Sequence, residues 1–104
     1  MAETIKNEVG SKVLFENEQI KIWDLQLDPG KNQGMHRHSN DYMVVFIGDC
    51  RVRGLNEDGS TRFEQEMADG TVLHRKLDSK DDVHDLINVG DTTSRNLVIE
   101  FITS

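Results

Sequence analysis

Apolar and polar residues alternate along this chain in short runs, each closed by a turn signal, and no segment sustains the period of an amphipathic helix. Val13-Leu14-Phe15 stops at Glu16-Asn17-Glu18, and the run 20–27 stops at Asp28-Pro29-Gly30. Residues 42–47 are strongly β-prone, and Asn56-Glu57-Asp58-Gly59 and Asp69-Gly70 read as tight turns. Further strands are predicted over 71–77, 83–89 and 94–102. The pattern is that of an all-β sandwich or barrel of antiparallel strands.

Within 20–27 the apolar phase slips: Ile20 and Ile22 share one parity, and Trp23, Leu25 and Leu27 share the other. A β-bulge, or a bend carrying the strand from one sheet to the next, produces such a slip. Strands that bend between sheets belong to jelly rolls and related barrels. The walls are expected to draw on Leu14, Ile22, Val44, Phe46, Val72, Leu86, Leu97 and Ile99. Trp23 and Met43 are left for a second contact surface, together with Val45 and Ile47 on Met43's parity.

The chain has 104 residues, which suits one domain with one core. That domain is expected over 13–104, with 1–12 as a tail or an exchanged strand. A net charge of -7, with Lys and Arg scattered, argues against a nucleic-acid partner. Cys50 is the single cysteine, so no intrachain disulfide can form, and an inert half-buried thiol is expected. The first eight residues hold no apolar leader run and no stretch reaches transmembrane length, so no membrane partner is expected and the cytoplasm is the expected setting.

The candidate chemistry lies in the histidines. His36 and His38 stand two residues apart just after the Pro29-Gly30 turn, and on a strand such residues share a face. His84 lies in another apolar run, four residues before Asn88, and can complete the set from a neighbouring strand. Neutral imidazoles suit iron, zinc, nickel, copper or manganese, and three of them leave positions open for water, oxygen or a chelating substrate. Weaker signals come from His74, which could line the same cavity or face solvent, and from Arg51 and Arg53, which share a face. Those arginines could meet a carboxylate substrate or form exterior ion pairs. Glu100 could be exterior or could orient a histidine.

In order along the chain stand Gly30, His36, His38 and Gly48, then His84, Asn88 and the turn Gly90-Asp91. This order and spacing resembles the two motifs of the cupin superfamily, and the resemblance runs over 13–103. It implies an antiparallel jelly-roll β-barrel, or double-stranded β-helix, with His36, His38 and His84 as metal ligands. It also implies a homodimer. The chain departs from the motif where a glutamate ligand is usual: Tyr42 stands there, with Asp41 one residue earlier, and 76–82 is longer and more charged than usual. Parity from His38 points Tyr42 inward and Asp41 outward. With the carboxylate gone, the resemblance favours a ferrous three-histidine centre like that of cupin dioxygenases acting on diketones or thiols. Tyr42 would then serve as a catalytic proton or hydrogen-bond donor to a small polar molecule or carboxylic-acid catabolite. The alternative is an accessory module that binds a small ligand without turnover.

Overall fold

The computed structural model describes residues 4–78 and 80–102. Among them run nine strands: β1 (Lys12–Glu16), β2 (Ile20–Leu27), β3 (His36–His38), β4 (Tyr42–Phe46), β5 (Cys50–Asn56), β6 (Thr61–Met67), β7 (Val72–Arg75), β8 (Asp82–Asn88) and β9 (Ser94–Phe101). They form a five-stranded sheet in the order β1-β2-β9-β4-β7 and a four-stranded sheet in the order β3-β8-β5-β6. Every strand pairing within them is antiparallel. The all-β jelly roll expected from the alternation is therefore present. It is built as two facing sheets, not as one continuously closed ladder.

The phase slip in β2 has a different origin from the bulge expected there. β2 pairs with β9 without interruption, from Ile20 against Phe101 to Leu27 against Ser94, and the irregularity lies in β1, between Val13 and Phe15. The strand simply carries apolar residues on both faces. Trp23, Leu25 and Leu27 point inward and are buried, and Trp23 joins Val9, Tyr42 and Val98 in one core cluster. Trp23 is thus a core residue and not part of a second contact surface. Its Nε1 donates to Glu100 Oε1 at 2.6 Å, which meets the need of a buried indole N–H for an acceptor.

β9 overturns the assignment of Leu97 and Ile99 to the wall. Its alternation is regular, but the buried row is Ser94, Asn96, Val98 and Glu100, while Leu97 and Ile99 face outward with Ile22. Three of the four residues in that inner row are polar, so reading hydrophobicity as interior inverts the strand. Leu14 and Val72, at 44% and 49% exposure, are likewise outside. Val44, Phe46 and Leu86 do lie inward. Phe46 forms a second cluster with Val52 and Met67, against which Val44 and Leu86 pack.

The segment before β1 runs alongside β3. Lys6 N–H donates to Met35 O and Lys6 O accepts from Arg37 N–H, which sets this segment beside β3. Val9, 1% exposed, then enters the core. At Gly10 the backbone passes so close to Trp23 that an added Cβ would lie 2.5 Å from the indole Cβ. On the exposed face of the four-stranded sheet, Arg51 and Arg53 pair with Glu64 at 2.9 and 2.7 Å, the exterior alternative for those two residues. His74 is exposed, with its ring edge-on to Phe101. Cys50 is half-buried, and burial pushes its thiol upward, away from the reactive range.

Candidate metal centre

Pairing of β3 with β8 puts His36 directly opposite His84 and His38 opposite Asp82. Side chains of directly paired and diagonal residues on one face of a sheet meet, so all three imidazoles converge. Their ring centroids lie 4.6–5.0 Å apart, and one ligand atom from each ring falls within 4.8 Å of the others. His36 and His38 are 1% and 2% exposed. Small rotations of the rings would bring three nitrogens to the ~2.1 Å that a first-row ion requires.

Each ring is oriented by a different device. His36 Nδ1 lies 2.8 Å from Gly34 O, an acceptor, so that nitrogen carries the proton and Nε2 keeps its lone pair. Gly34 can turn its carbonyl this way because its φ is +101°, a conformation that disfavours side chains. Asp85, 3% exposed, fastens the turn: its carboxylate accepts from Gly34 N–H at 2.8 Å, from Asn32 Nδ2 at 2.8 Å and from Leu86 N–H at 2.7 Å. His84 Nδ1 lies 2.9 Å from Asp82 Oδ2, and Arg62 grips the same carboxylate with both terminal nitrogens at 3.0 and 3.1 Å. His84 Nδ1 thus lies between that carboxylate at 2.9 Å and Arg62 Nη1 at 3.1 Å, and the two together fix the orientation of the ring. His38 is held by stacking on Tyr42, with centroids 3.8 Å apart and planes 12° apart, and its buried Nδ1 finds no hydrogen-bond partner.

Electrostatics suit a ligand set. Burial, with repulsion from the neighbouring imidazoles, drives His38 down to about 2 and His84 down to about 4; burial also lowers His36 in spite of its bond to Gly34 O. All three are therefore neutral at physiological pH, the form that binds metal. Asp82 stays ionised: burial raises it, but the hydrogen bond and charge of Arg62 and the neighbouring His84 outweigh that, and the net shift is downward. Burial, reinforced by the charge of Asp82, pushes the Tyr42 phenol up to about 12, so it remains a donor throughout the neutral range. An imidazole trio, two rings buried and one half-buried, with an orphaned ring nitrogen on His38 fits a divalent transition metal.

Tyr42 lies on the inner face beside the cluster, as parity from His38 predicts, and Asp41 turns away: its Oδ1 accepts from Leu77 N–H at 2.8 Å, holding the loop before β8. His74 does not join the site. Glu100 is inside, but accepts from Trp23 and Asn40 and bonds no histidine. Asn88, which follows His84 in the motif, is structural: fully buried, its amide donates to Leu27 O and Thr92 O and accepts from Gly90 N–H. Sequence reading missed Arg62, Asp82 and Asp85, which orient the imidazoles. Asp82 is two residues from His84, and same-face spacing could have flagged it; nothing local marks Arg62, which arrives from a different hairpin.

The cluster opens into a cavity of about 80 Å³ between the sheets. Its lining includes Leu25, Val44, Phe46, Val98 and Leu86 on the apolar side, with Gln33, Arg62, Arg75 and Asn96 as polar groups. Arg75 pairs with Tyr42 in register and forms no ion pair among the described residues.

No protein-family model and no curated protein matches the sequence. Solved structures do match. A cupin domain from Bordetella pertussis is 26% identical, with a TM-score of 0.74 over 96% of this chain and 98% of that one. A cupin 2 conserved barrel protein from Salinispora arenicola is 13% identical, with a TM-score of 0.66 over 96% of this chain and 81% of that one. The polyketide cyclase RemF from Streptomyces resistomycificus is 11% identical, with a TM-score of 0.64 over 97% of this chain and 75% of that one.

Proposed function

This chain is a small cupin by fold, and from that premise we propose that it is a metal-dependent enzyme with a dioxygenase-like three-histidine centre. Its substrate is a small polar molecule or carboxylic-acid catabolite. The observation that carries this reading is the convergence of three neutral imidazoles, two buried and one half-buried, with no carboxylate in the cluster among the described residues. A bound divalent ion, iron in this reading before zinc, nickel, manganese or copper, supplies Lewis acidity and, for iron, redox chemistry, with positions open to substrate.

The chain's own residues supply the rest. His36, His38 and His84 would present ring nitrogens to the ion; Gly34 O holds His36 in the tautomer that leaves Nε2 free, and Asp82 with Arg62 orients His84. Tyr42 keeps its proton and is a hydrogen-bond donor to a substrate oxygen, the catalytic role assigned to it. Arg75, cationic and without an ion-pair partner among the described residues, suits an anionic group on the substrate in a chain that is otherwise acidic. The apolar wall of Val44, Phe46 and Val98 excludes bulk water from the reacting end.

The reading extends to a cytoplasmic homodimer. No helix among the described residues is long and apolar enough to cross a membrane. The outer face of the five-stranded sheet carries Phe15, Ile22, Met43, Val45, Val72, Leu97 and Ile99, an apolar field on an acidic molecule. A second copy is the partner that such a face fits, because an uncharged patch is complementary to itself whereas the remaining surface repels its own kind.

The test is metal analysis of protein purified without chelator, followed by oxygen uptake with small diketones, thiols and short carboxylic acids. Stoichiometric metal with turnover is expected. Absence of both, with ligand-dependent melting shifts, would favour an accessory module that holds a small ligand without reaction.

A further inference from the structure

Asn96 sits on β9 with 1% exposure, and neither its Nδ2 nor its Oδ1 has a hydrogen-bond partner. It lines the cavity that opens from the histidines. A buried amide with both ends unmet is costly, and native proteins leave few such groups unless water or a ligand completes them. Gln33 Nε2, also buried and unpartnered, faces the same cavity. In register Asn96 pairs with Phe46, four residues beyond Tyr42, so its Cα row lies ~13 Å along the sheet from the row that touches His38. The cavity thus has two polar poles, with the Val44–Val98 row between them and Leu25 and Phe46 flanking Asn96.

Resting on the metal-centre reading, we propose that Asn96 anchors the far end of the substrate and reads an uncharged group that both donates and accepts, a hydroxyl or a carboxamide. An amide offers one donor and one acceptor side by side, so its match is a group with the same pair. The apolar surroundings rule against a charge there, because an ion at that depth would lose its hydration without a counter-charge. Size narrows the class further. A volume of about 80 Å³ holds roughly five to eight non-hydrogen atoms at ~10–15 Å³ each, so the ligand is a short acid carrying a polar terminus.

The experiment titrates butyrate, 4-hydroxybutyrate, succinamate and succinate into metal-loaded protein by calorimetry, with metal content measured on the same samples. The hydroxyl and amide probes are expected to bind at least tenfold more tightly than butyrate and than the dianion. Asn96→Leu should erase that preference while retaining full metal. In the ligand-free state the same variant should melt several degrees higher, because it removes an unsatisfied buried amide. Asn96→Ala provides the same binding comparison should the leucine variant fail to fold. Equal affinity for butyrate and 4-hydroxybutyrate, or an unchanged ranking in the variants, would mean that trapped water alone serves Asn96. Metal-loaded protein that binds none of the four probes would also overturn the proposal. Loss of metal from the wild-type sample would instead sink the metal reading beneath it.

Discussion

At the scale of single residues, the three imidazoles are separable by mutation. His36→Ala, His38→Ala and His84→Ala are each expected to lose stoichiometric metal, measured by elemental analysis, while circular dichroism remains that of a β protein; a variant that stays fully loaded excludes its residue from the ligand set. Tyr42→Phe keeps the ring that stacks on His38 and removes only the hydroxyl. It is expected to load metal normally and to lower turnover by ~10²-fold, the lower range for a general acid or donor. Loss of metal in that variant would assign the phenol to the ligand set. The histidines also make the metal-free fold acid-sensitive. Their folded values, about 2 for His38 and about 4 for His84, lie below the ordinary 6.5, so as pH falls the unfolded chain takes up protons first. The stability is intact above that ordinary value and declines below it, by ~1.4 kcal/mol per pH unit for each depressed histidine, until the folded pKa is reached. Urea melts of the metal-free protein between pH 7.5 and 5.0 should show a shallower decline in His38→Ala than in wild type. Parallel slopes would argue against a neutral buried His38.

Between elements, the site depends on contacts that no single strand contains. Arg62 on β6 grips Asp82 on β8, and Asp82 holds His84; Arg62→Met and Asp82→Asn are expected to weaken metal binding ~10–100-fold by competition titration, with the fold retained. Unchanged affinity in both would show that packing alone orients His84. The same hairpin explains Gly54. Phe63 lies over it, so an added Cβ would meet the ring at 2.3 Å, and Gly54→Ala is expected to cost ~1–3 kcal/mol by chemical denaturation. Turn chemistry at this scale was plain in advance: Asn56-Glu57-Asp58-Gly59 closes β5–β6, with Gly59 at φ +88° and its N–H donating to Asn56 O.

On the scale of the whole molecule, the five-stranded sheet turns outward apolar residues of β2 and β9 that hydropathy gave to the wall. The inner face supports a cavity and carries Asn96 and Glu100; the outer face carries Ile22, Met43, Leu97 and Ile99. Ile99→Glu, at the centre of the outer face, is expected to convert a dimer to a monomer in sedimentation velocity while leaving metal content unchanged. A wild-type chain that sediments as a monomer would remove the second copy as the occupant of that face.

The sequence by itself determined the β period, the positions of the principal turns, and the pairing of His36 with His38 on one face. It also placed Tyr42 on that face and Asp41 off it. These are local properties: turn residues act over four positions, and alternation by two is imposed by the strand backbone. Alternation defines two faces for each strand but does not say which of them is inside. For β4 the apolar rule chose correctly at Val44 and Phe46; for β9 it chose the wrong row, because three of the four inner residues are polar and find buried partners or the cavity. Trp23 was misplaced for the related reason that β2 is apolar on both faces. Only the tertiary structure decided these, and only it brought Arg62 to Asp82 and His84 and left Asn96 unpartnered in the cavity, since those juxtapositions depend on how the strands pair and on the stacking of one sheet over the other.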